Sequence, residues 1–320
     1  MKVFISGGGG YLASKLVEYF FLQGFKVIVS TRLNSQLDNL NDSVEVFELD
    51  YGKIDIFDEV LSDVNLVIHA AGMNKFACDN SPYEAFLFNG VVTSNLINSS
   101  IKNKVDYFVF LSSYHVYGRN LINVVNENTP LDCIDAYTMS NKVGEDALLS
   151  AIEQNLIFGS VIRISNGFGI PLTKSLSCWD LVVNNFSYNA VFNKQILVKS
   201  DFNFIKNYIS INEISFIVNF IFHQFLKKDV VVPKIINVSS SNNLDLNNLL
   251  KVIDNRFGLL TNKKLIIEYN KNFDNTSKPL TYESLSLKSI HYVSRFDFNF
   301  EIDLLLGYCL SKFNNNDSIY

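Results

Sequence analysis

The stretch SGGGGYLAS, residues 6–14, is the most informative motif in this chain of 320 residues. Its glycines at positions 7 and 10 and the alanine at position 13 give the spacing G-x-x-G-x-x-A. Glycine permits a tight turn and lets the backbone approach a pyrophosphate, and alanine still allows a helix to pack closely on a strand. A helix that begins beyond such a turn directs amide donors and the positive end of its dipole at it. The spacing therefore indicates a nucleotide-binding turn.

Strand and helix patterns alternate outward from this turn. The β-rich run KVFIS (2–6) precedes it, an apolar-periodic helix at 11–22 follows it, and KVIVST (26–31) is the next strand. This order predicts a βαβ unit of a parallel sheet, so the fold class is α/β. Further strands are predicted at 44–50, 65–72, 106–113, 157–165, 194–199, 207–211, 234–240 and 263–269, and further helices at 54–61, 82–102, 137–154, 176–186, 212–226, 244–258 and 301–313.

The composition indicates a globular chain with a sizeable core, because 48% of the residues are hydrophobic and 18% are charged. The net charge of −5, without a dominant basic stripe, gives no reason to expect nucleic acid as a partner. The most apolar later segment, 214–226, is interrupted by polar residues and falls short of the roughly 20 residues that a membrane span needs. We therefore expect a buried helix there and no membrane segment.

Four cysteines are scattered along the chain without a CxxC pair. This spacing predicts neither a zinc site nor a disulfide framework, and no metal is expected. Free thiols favour a reducing compartment, so we expect the protein in the cytoplasm.

The end of the second strand bears on the choice of cofactor. An acid usually stands there when the cofactor is NAD, because it bonds the ribose 2′-hydroxyl. Here the strand ends Ser30-Thr31-Arg32, without an acid. Since arginine pairs with a 2′-phosphate, NADP is favoured and NAD is the alternative. Arg32 as an ordinary solvated loop charge is the other interpretation.

Four stretches carry a resemblance to a known family: NLVIHAAG (65–72), LSSYHVYG (111–118), ENTPLDCIDAYTMSNKVGE (127–145) and RISNGFG (163–169). In order and spacing they resemble the extended short-chain dehydrogenase/reductase family, the NAD(P)-dependent nucleotide-sugar epimerases, dehydratases and reductases. The second half is similar to the family more loosely, in FIKNYISINEI (204–214) and NVSSSNNLDLNNLL (237–250).

The resemblance implies a Rossmann-type doubly wound parallel sheet with a smaller α/β C-terminal substrate-binding part. Residues 1–170 are expected to form the NAD(P)-binding Rossmann domain, to which 207–232 return, and 171–320 mainly the part that holds a nucleotide-diphosphate sugar. A homodimer through helices 85–102 and 137–154 is implied in the same way.

The resemblance also implies the roles of individual residues. Ser113 bonds the reacting oxygen and Tyr137 exchanges a proton with it. The resemblance, the glycine spacing and the end of the second strand together predict the residues that contact the cofactor: Gly7, Gly10, Tyr11, Leu12, Arg32, Asp50, Tyr51, Ala70, Ala71, Gly72, Asn89, Ser112, Tyr137 and Asn141. The residues expected to contact the substrate are Ser113, Tyr114, His115, Asn166, Lys206 and Lys278.

One departure from the family concerns its catalytic lysine. That lysine lies four residues after the tyrosine and four before a glutamate, and counting from Tyr137 or from Glu145 leads to Asn141. Asn141 is therefore the third predicted catalytic residue, and its amide can still bond the ribose. Lys142 lies one position further and points elsewhere on a regular helix. Without a cation, a tyrosine with a pKa near 10 is about 0.1% ionised at neutral pH, so it is a poor base but can still donate a proton.

A second departure concerns dehydration. The dehydratase branch places an Asp-Glu pair where this chain has Tyr114 and His115. Dehydration is therefore not expected. Because NADP is favoured and a tyrosine without the lysine donates a proton more readily than it accepts one, we predict NADPH-dependent reduction of a keto group on a nucleotide-linked sugar of the 4-keto-6-deoxyhexose type. An NAD-dependent nucleotide-sugar 4-epimerase is the first alternative. A dinucleotide-binding sensor or scaffold without turnover is the second.

Overall fold

The computed structural model describes residues 1–32, 42–51, 53, 56–119, 121, 123–172, 176–198, 205–269 and 280–314. The strands are β1 (Lys2–Ser6), β2 (Lys26–Arg32), β3 (Glu45–Leu49), β4 (Leu66–His69), β5 (Tyr107–Ser113), β6 (Asn123–Val125), β7 (Gly159–Ile164), β8 (Asn166–Phe168), β9 (Gln195–Val198), β10 (Lys206–Ser210), β11 (Ile235–Val238), β12 (Asn243–Leu244), β13 (Ile266–Tyr269) and β14 (Leu280–Tyr282).

The α-helices alternate with these strands over most of the chain. They are α1 (Tyr11–Leu22), α2 (Lys75–Asn80), α3 (Pro82–Ala85), α4 (Thr93–Lys102), α5 (Ala136–Glu153), α6 (Val182–Phe192), α7 (Ile211–Lys227), α8 (Leu246–Thr261), α9 (Leu285–Ser289) and α10 (Phe298–Asn314). Short 3₁₀ turns cover Tyr114–Tyr117 and Leu176–Asp180, and a π-helix covers Phe86–Val92.

Seven parallel strands of the described chain form one sheet in the order β11-β7-β5-β4-β1-β2-β3. The strand order changes direction at β1, because β2 and β3 extend to one side of it and the other four strands to the other. In open α/β sheets the ligand binds outside the carboxyl ends of the strands at such a point. The glycine turn that follows β1 lies there.

Alternate residues of the central strands pack against different helices. Val3 and Ile5 of β1 belong to a core with α1 and α7, whereas Phe4 packs with α4 and α5 on the opposite face. Both faces are covered, which explains why the strands read as continuous apolar runs instead of alternating ones. The predicted α/β fold with a doubly wound parallel sheet is confirmed.

The C-terminal half adds a separate core and smaller sheets. Helices α6, α8 and α10 pack together around buried residues such as Leu249, Ile253 and Leu305. Around them lie a sheet of β12, β10 and β8, the pair β13 and β9, and the pair β14 and β6. Strand β11 and helix α7 return from this half of the chain to the large sheet and to α1.

Three predicted helices differ from the structure, and the one at 82–102 is divided into α3, the π-helix and α4. Within 54–61, the described residues 56–61 form successive turns and no α-helix. Phe57, Val60 and Leu61 are buried all the same, so the i, i+3, i+4 spacing that suggested a helix is satisfied by turns that bury the same side chains. The predicted helix at 176–186 is a 3₁₀ turn followed by α6, which continues to Phe192.

Among the described residues, no helix is long and apolar enough to cross a membrane.

Candidate active site

The turn after β1 depends on glycine at two positions. Gly7 has a φ of +78°, which side chains of L-residues rarely adopt, and a Cβ there would lie 2.8 Å from the Cα of Ala71. A Cβ on Gly8 would lie 2.0 Å from a methyl carbon of Val29. The amides of Gly7 and Gly8 both donate to the Ser30 carbonyl at 2.9 Å, and Gly10 precedes the first turn of α1. The bare backbone and the helix N-terminus thus form a cradle that fits a dinucleotide diphosphate.

The end of β4 lies beside this cradle. The amides of Ala70 and Ala71 each donate to the Ser6 hydroxyl oxygen at 3.0 Å. The Met73 amide donates to Oδ1 of Asn89 at 2.9 Å, and Asn89 is nearly fully buried in the π-helix. The structure therefore brings the predicted cofactor residues of β1, β4 and the π-helix to one edge of the sheet.

Ser113 and Tyr137 meet at the same edge. Ser113 is the last residue of β5, and Tyr137 is the second residue of α5, which begins with a capping box formed by Asp135 and Thr138. Burial raises the pKa of Tyr137 above its ordinary value, a hydrogen bond with Ser113 lowers it in part, and Cys78 and Asp135 raise it further. At neutral pH the Tyr137 hydroxyl is therefore protonated and able to donate.

Asn141 occupies the helix position one turn beyond the tyrosine. Its Nδ2 donates to the carbonyl oxygen of Tyr137 at 2.8 Å, and the side chain is buried. Lys142 forms an ion pair with Asp146 at the surface of α5, with its Nζ 2.6 Å from Oδ2. In the described part of the chain, no cation contributes to the pKa of Tyr137. Lys142 does not replace the missing lysine in this structure.

Aromatic and polar side chains of the 3₁₀ turn after β5 and of β8 form one wall of the site. Tyr114 stacks on His115 with ring centroids 4.5 Å apart, and its hydroxyl donates to Oδ1 of Asn166 at 3.2 Å. Burial raises the pKa of Tyr114 to about 12. Asn166 in turn donates to the Asn207 carbonyl.

His115 and Lys206 bring two titratable groups to this wall. His115 keeps part of its surface exposed, and its ring centroid lies 6.1 Å from that of Tyr137. Desolvation, together with the positive charges of Lys206 and Lys75, lowers the pKa of His115 to about 4, so the ring is neutral at pH 7. Burial also lowers the pKa of Lys206.

Several predicted cofactor residues have other contacts in the structure. The Ser112 hydroxyl donates to Glu145, and the Tyr11 hydroxyl donates to the Gly169 carbonyl, each inside the protein. Tyr51 is buried with its hydroxyl 2.9 Å from that of Ser30. Of the remaining predicted residues, Leu12 is partly buried against the core and Arg32 is exposed at the end of β2. Gly72 follows β4, and Asp50 follows β3. Lys278, predicted as a substrate contact, lies outside the described residues.

The motifs did not single out three buried polar residues beside this site, Ser6, His69 and Thr93. Their side chains form hydrogen bonds with one another. The one signal in the sequence is a histidine within the apolar run LVIH of β4, where a polar side chain needs a partner. In the described residues, no three His, Cys, Asp or Glu side chains come together as a metal site.

A comparison with protein-family models matches residues 3–239 to the NAD dependent epimerase/dehydratase family. The chain belongs to this family. The glycine turn, the end of β4, Ser113 and Tyr137 all lie within the matched residues, and the resemblance expected from the sequence is confirmed.

Two curated relatives show the range of activities in the family. The UDP-glucose 4-epimerase of Dictyostelium discoideum is 29% identical over 147 residues, 42% of this chain and 43% of that protein. The NADPH-dependent methylglyoxal reductase of Saccharomyces cerevisiae is 27% identical over 186 residues, 48% of this chain and 54% of that protein. The chain thus spans about half the length of the curated relatives that it matches.

A solved structure extends the likeness to the C-terminal half. The UDP-glucose 4-epimerase of Thermotoga maritima, solved with UDP-glucose, superposes with a TM-score of 0.81 at 19% identity and covers 99% of both chains. This similarity shows that the fold of the family continues through the C-terminal α/β part.

Proposed function

We propose that this protein binds NAD(P) and a nucleotide-diphosphate sugar and catalyses hydride transfer at a carbon of the sugar. The observation that carries the proposal is the hydrogen bond between Ser113 and Tyr137 at the carboxyl edge of the sheet, two strands from the glycine turn at which the strand order changes direction. When bound, the nicotinamide would supply or accept the hydride. The protein supplies the proton and holds the reacting oxygen.

In this proposal the first half of the chain binds the cofactor. The diphosphate lies on the turn at Gly7 and Gly10, and the residues that end β4, with Asn89, line the nicotinamide half. Arg32 is exposed at the end of β2 and would pair with a 2′-phosphate, so NADP remains a candidate beside NAD. Residues 171–320 would mainly hold the sugar nucleotide, with Asn166 and Lys206 as contacts and Lys278 as a further one.

4-Epimerisation is the activity that the comparisons favour over the reduction predicted from the sequence. UDP-glucose 4-epimerase recurs among the names of the relatives. In such a reaction Tyr137, in its ionised form, would take the proton of the C4 hydroxyl while the C4 carbon gives up a hydride, which the oxidised cofactor would accept when bound. The resulting ketone then regains both, with the hydride arriving on the opposite face of the sugar. The cofactor leaves the cycle unchanged.

Reduction of a keto sugar is the second candidate, and the state of Tyr137 favours it. The hydroxyl is protonated and no described cation lowers its pKa, so donation to a carbonyl oxygen is easier than removal of an alcohol proton. Net reduction consumes one hydride from the cofactor and one proton delivered through Tyr137. A reductase that uses NADPH is among the relatives.

A homodimer through the π-helix and α5 fits the exposed side chains on these elements. Leu87 and Val91 of the π-helix and Met139 and Val143 of α5 are between 38% and 49% exposed, although all four are apolar. Burying them in a second copy would remove this surface from water. Sedimentation of the purified chain tests this assembly, and a monomer at micromolar concentration would contradict it.

The test of the function uses the purified chain with a panel of nucleotide-linked hexoses and 4-keto-6-deoxyhexoses. Interconversion of C4 epimers with retained cofactor identifies an epimerase, and loss of reduced-nicotinamide absorbance with a keto sugar identifies a reductase. Dinucleotide binding without turnover of any sugar would contradict the catalytic proposal and support a sensor.

A further inference from the structure

A chain of hydrogen bonds between buried side chains crosses the protein beneath the cofactor cradle. It joins Ser6 of β1, His69 of β4 and Thr93 of α4, all of which have no exposed surface. The Ser6 hydroxyl oxygen lies 2.6 Å from Nδ1 of His69, and Nε2 of His69 lies 2.8 Å from the hydroxyl oxygen of Thr93. The proposed reaction uses none of these three side chains directly.

The partners of Ser6 determine where its hydrogen points. Its oxygen accepts the amides of Ala70 and Ala71, both at 3.0 Å, which use its two lone pairs. The hydroxyl hydrogen is therefore left for Nδ1 of His69, which must be the unprotonated nitrogen. Nε2 then carries the hydrogen of a neutral ring.

The other end of the chain leads to the same tautomer independently. The Thr93 hydroxyl donates to the carbonyl oxygen of Asn89 at 2.7 Å, so its only hydrogen is used there. Its oxygen is therefore the acceptor for Nε2–H of His69. The two ends therefore agree on the direction of donation: Ser6 donates to His69, His69 donates to Thr93, and Thr93 donates to the carbonyl of Asn89.

The chain continues through Asn89 to the helix that carries Tyr137. Oδ1 of Asn89 accepts the Met73 amide, so its Nδ2 is the donor to Ser140 at 2.9 Å. The Ser140 hydroxyl donates to the carbonyl oxygen of Tyr137 at 3.1 Å. Asn89 also lies in the π-helix, and single π-turns of this kind are frequent at functional sites.

We propose that His69 and Thr93 are positioning residues that hold Asn89 and the first turn of α5 in fixed relation to the cofactor cradle. This inference rests on the proposed function for its effect on catalysis. Neither side chain touches the reacting atoms. Both act because Ser6 immediately precedes the glycine turn and because the last acceptor of the chain is the backbone of Tyr137.

Thr93→Val interrupts the chain of hydrogen bonds with the least change in the shape of the side chain. It removes the acceptor for His69 and the donor to Asn89, and Thr93→Ser restores both. Ser100→Ala is the matched control, because Ser100 is also fully buried in α4 and donates to the carbonyl of Leu96, four residues earlier, at 2.7 Å. Ser100→Ala therefore removes a side-chain-to-backbone hydrogen bond from the same helix, but one that does not belong to the hydrogen-bond chain from Ser6 to Tyr137.

The first measurement is hydrogen exchange of the backbone amides at 138–141 together with the dissociation constant for the dinucleotide. Thr93→Val is expected to speed exchange in this turn and to weaken dinucleotide binding by about tenfold. The reason is that the variant loses two buried hydrogen bonds, one with Nε2 of His69 and one with the carbonyl oxygen of Asn89. Thr93→Ser is expected to restore both values, and Ser100→Ala to change neither selectively. Equal effects of Thr93→Val and Ser100→Ala would overturn the proposal.

The second measurement is the nitrogen chemical shifts of His69 in the wild-type chain labelled with ¹⁵N. They are expected to show protonated Nε2 and unprotonated Nδ1, and the opposite tautomer or a charged ring would overturn the proposal. This result and the hydrogen exchange need no turnover. Failure to convert any sugar would therefore contradict the proposed function and leave the two structural readouts to decide the role of His69 and Thr93.

Discussion

At position 141 an asparagine stands where the family places a lysine, and the structure turns its amide onto the carbonyl of its own helix. The Tyr137 hydroxyl consequently has Ser113 as a partner, and no cation of the described residues lowers its pKa. Its chemistry is therefore asymmetric, because a protonated phenol gives a proton more readily than it takes one.

Asn141→Lys is expected to lower the pKa of Tyr137. A unit charge about 4 Å away contributes at most about 4 kcal/mol at an effective dielectric of 20, or nearly three pKa units. For a reaction that begins with an alcohol, the rise of turnover with pH should move to lower pH by about one to three units. The measurement is a pH profile of turnover for both proteins.

Lys142→Gln is the control for this change. It alters the charge of the same helix turn, but Lys142 is paired with Asp146 at the surface. Its pH profile is expected to match that of the wild type. A shift in Lys142→Gln as large as that in Asn141→Lys would mean that the general charge of the helix, and not position 141, controls Tyr137.

At the scale of elements, a buried ion pair holds α5 against the sheet. Glu145 of α5 and Arg163 of β7 are almost completely buried, with Nη2 2.6 Å from Oε2. Ser112 of β5 donates to the same carboxylate at 2.6 Å, and Arg163 also donates to the Tyr117 hydroxyl at 3.0 Å. The cluster thus joins the two elements that carry Ser113 and Tyr137, because Ser112 precedes Ser113 on β5 and Glu145 lies on the helix of Tyr137.

Glu145→Gln is expected to destabilise the protein by about 3–5 kcal/mol, because it leaves the Arg163 charge buried without its counter-ion. The measurement is urea unfolding. Glu153→Gln is the matched control on the same helix, since it removes an exposed pair with Lys234 and should cost only about 0–1 kcal/mol. Equal losses in the two variants would contradict a special role of the buried pair.

The sequence predicts most elements of the fold because each buries a regular apolar pattern. The prediction fails at 56–61, where Phe57 and Leu61 reach the core from a series of turns with the spacing of a helix. The apolar pattern alone cannot distinguish such turns from a helix. It predicts a continuous helix over 82–102 and cannot reveal the π-helix within it. The motif spacing also points to Ser113 and Tyr137, but the partners of His69 lie 63 and 24 residues away and become visible only in three dimensions.

At the scale of the whole molecule, burial of a neutral histidine links stability to pH. Desolvation lowers the pKa of His69 from 6.5 to about 3. Between these values the unfolded chain binds a proton that the native chain does not. The free energy of unfolding should therefore fall as the pH is lowered from 6.5 toward 3, by up to about 1.4 kcal/mol per pH unit from this group, and stay unaffected by it above pH 6.5.

His69→Gln isolates this contribution. The variant is less stable at neutral pH because the hydrogen-bond chain is disturbed, but its stability should depend less steeply on pH between 4 and 6 than that of the wild type. Unfolding in urea across this range measures the two slopes. Identical slopes would show that His69 does not remain neutral in the folded protein.

We propose that Tyr137, hydrogen-bonded to Ser113, exchanges the proton during hydride transfer on a nucleotide-linked sugar. The most direct measurement is conversion of the sugar-nucleotide panel by the wild type and by Tyr137→Phe, with dinucleotide binding measured in parallel. We predict that the wild type converts at least one sugar and that Tyr137→Phe binds the dinucleotide but is slower by about 10²–10⁴-fold. Conversion at the wild-type rate by Tyr137→Phe, or no conversion by either the wild type or Asn141→Lys, would contradict the claim.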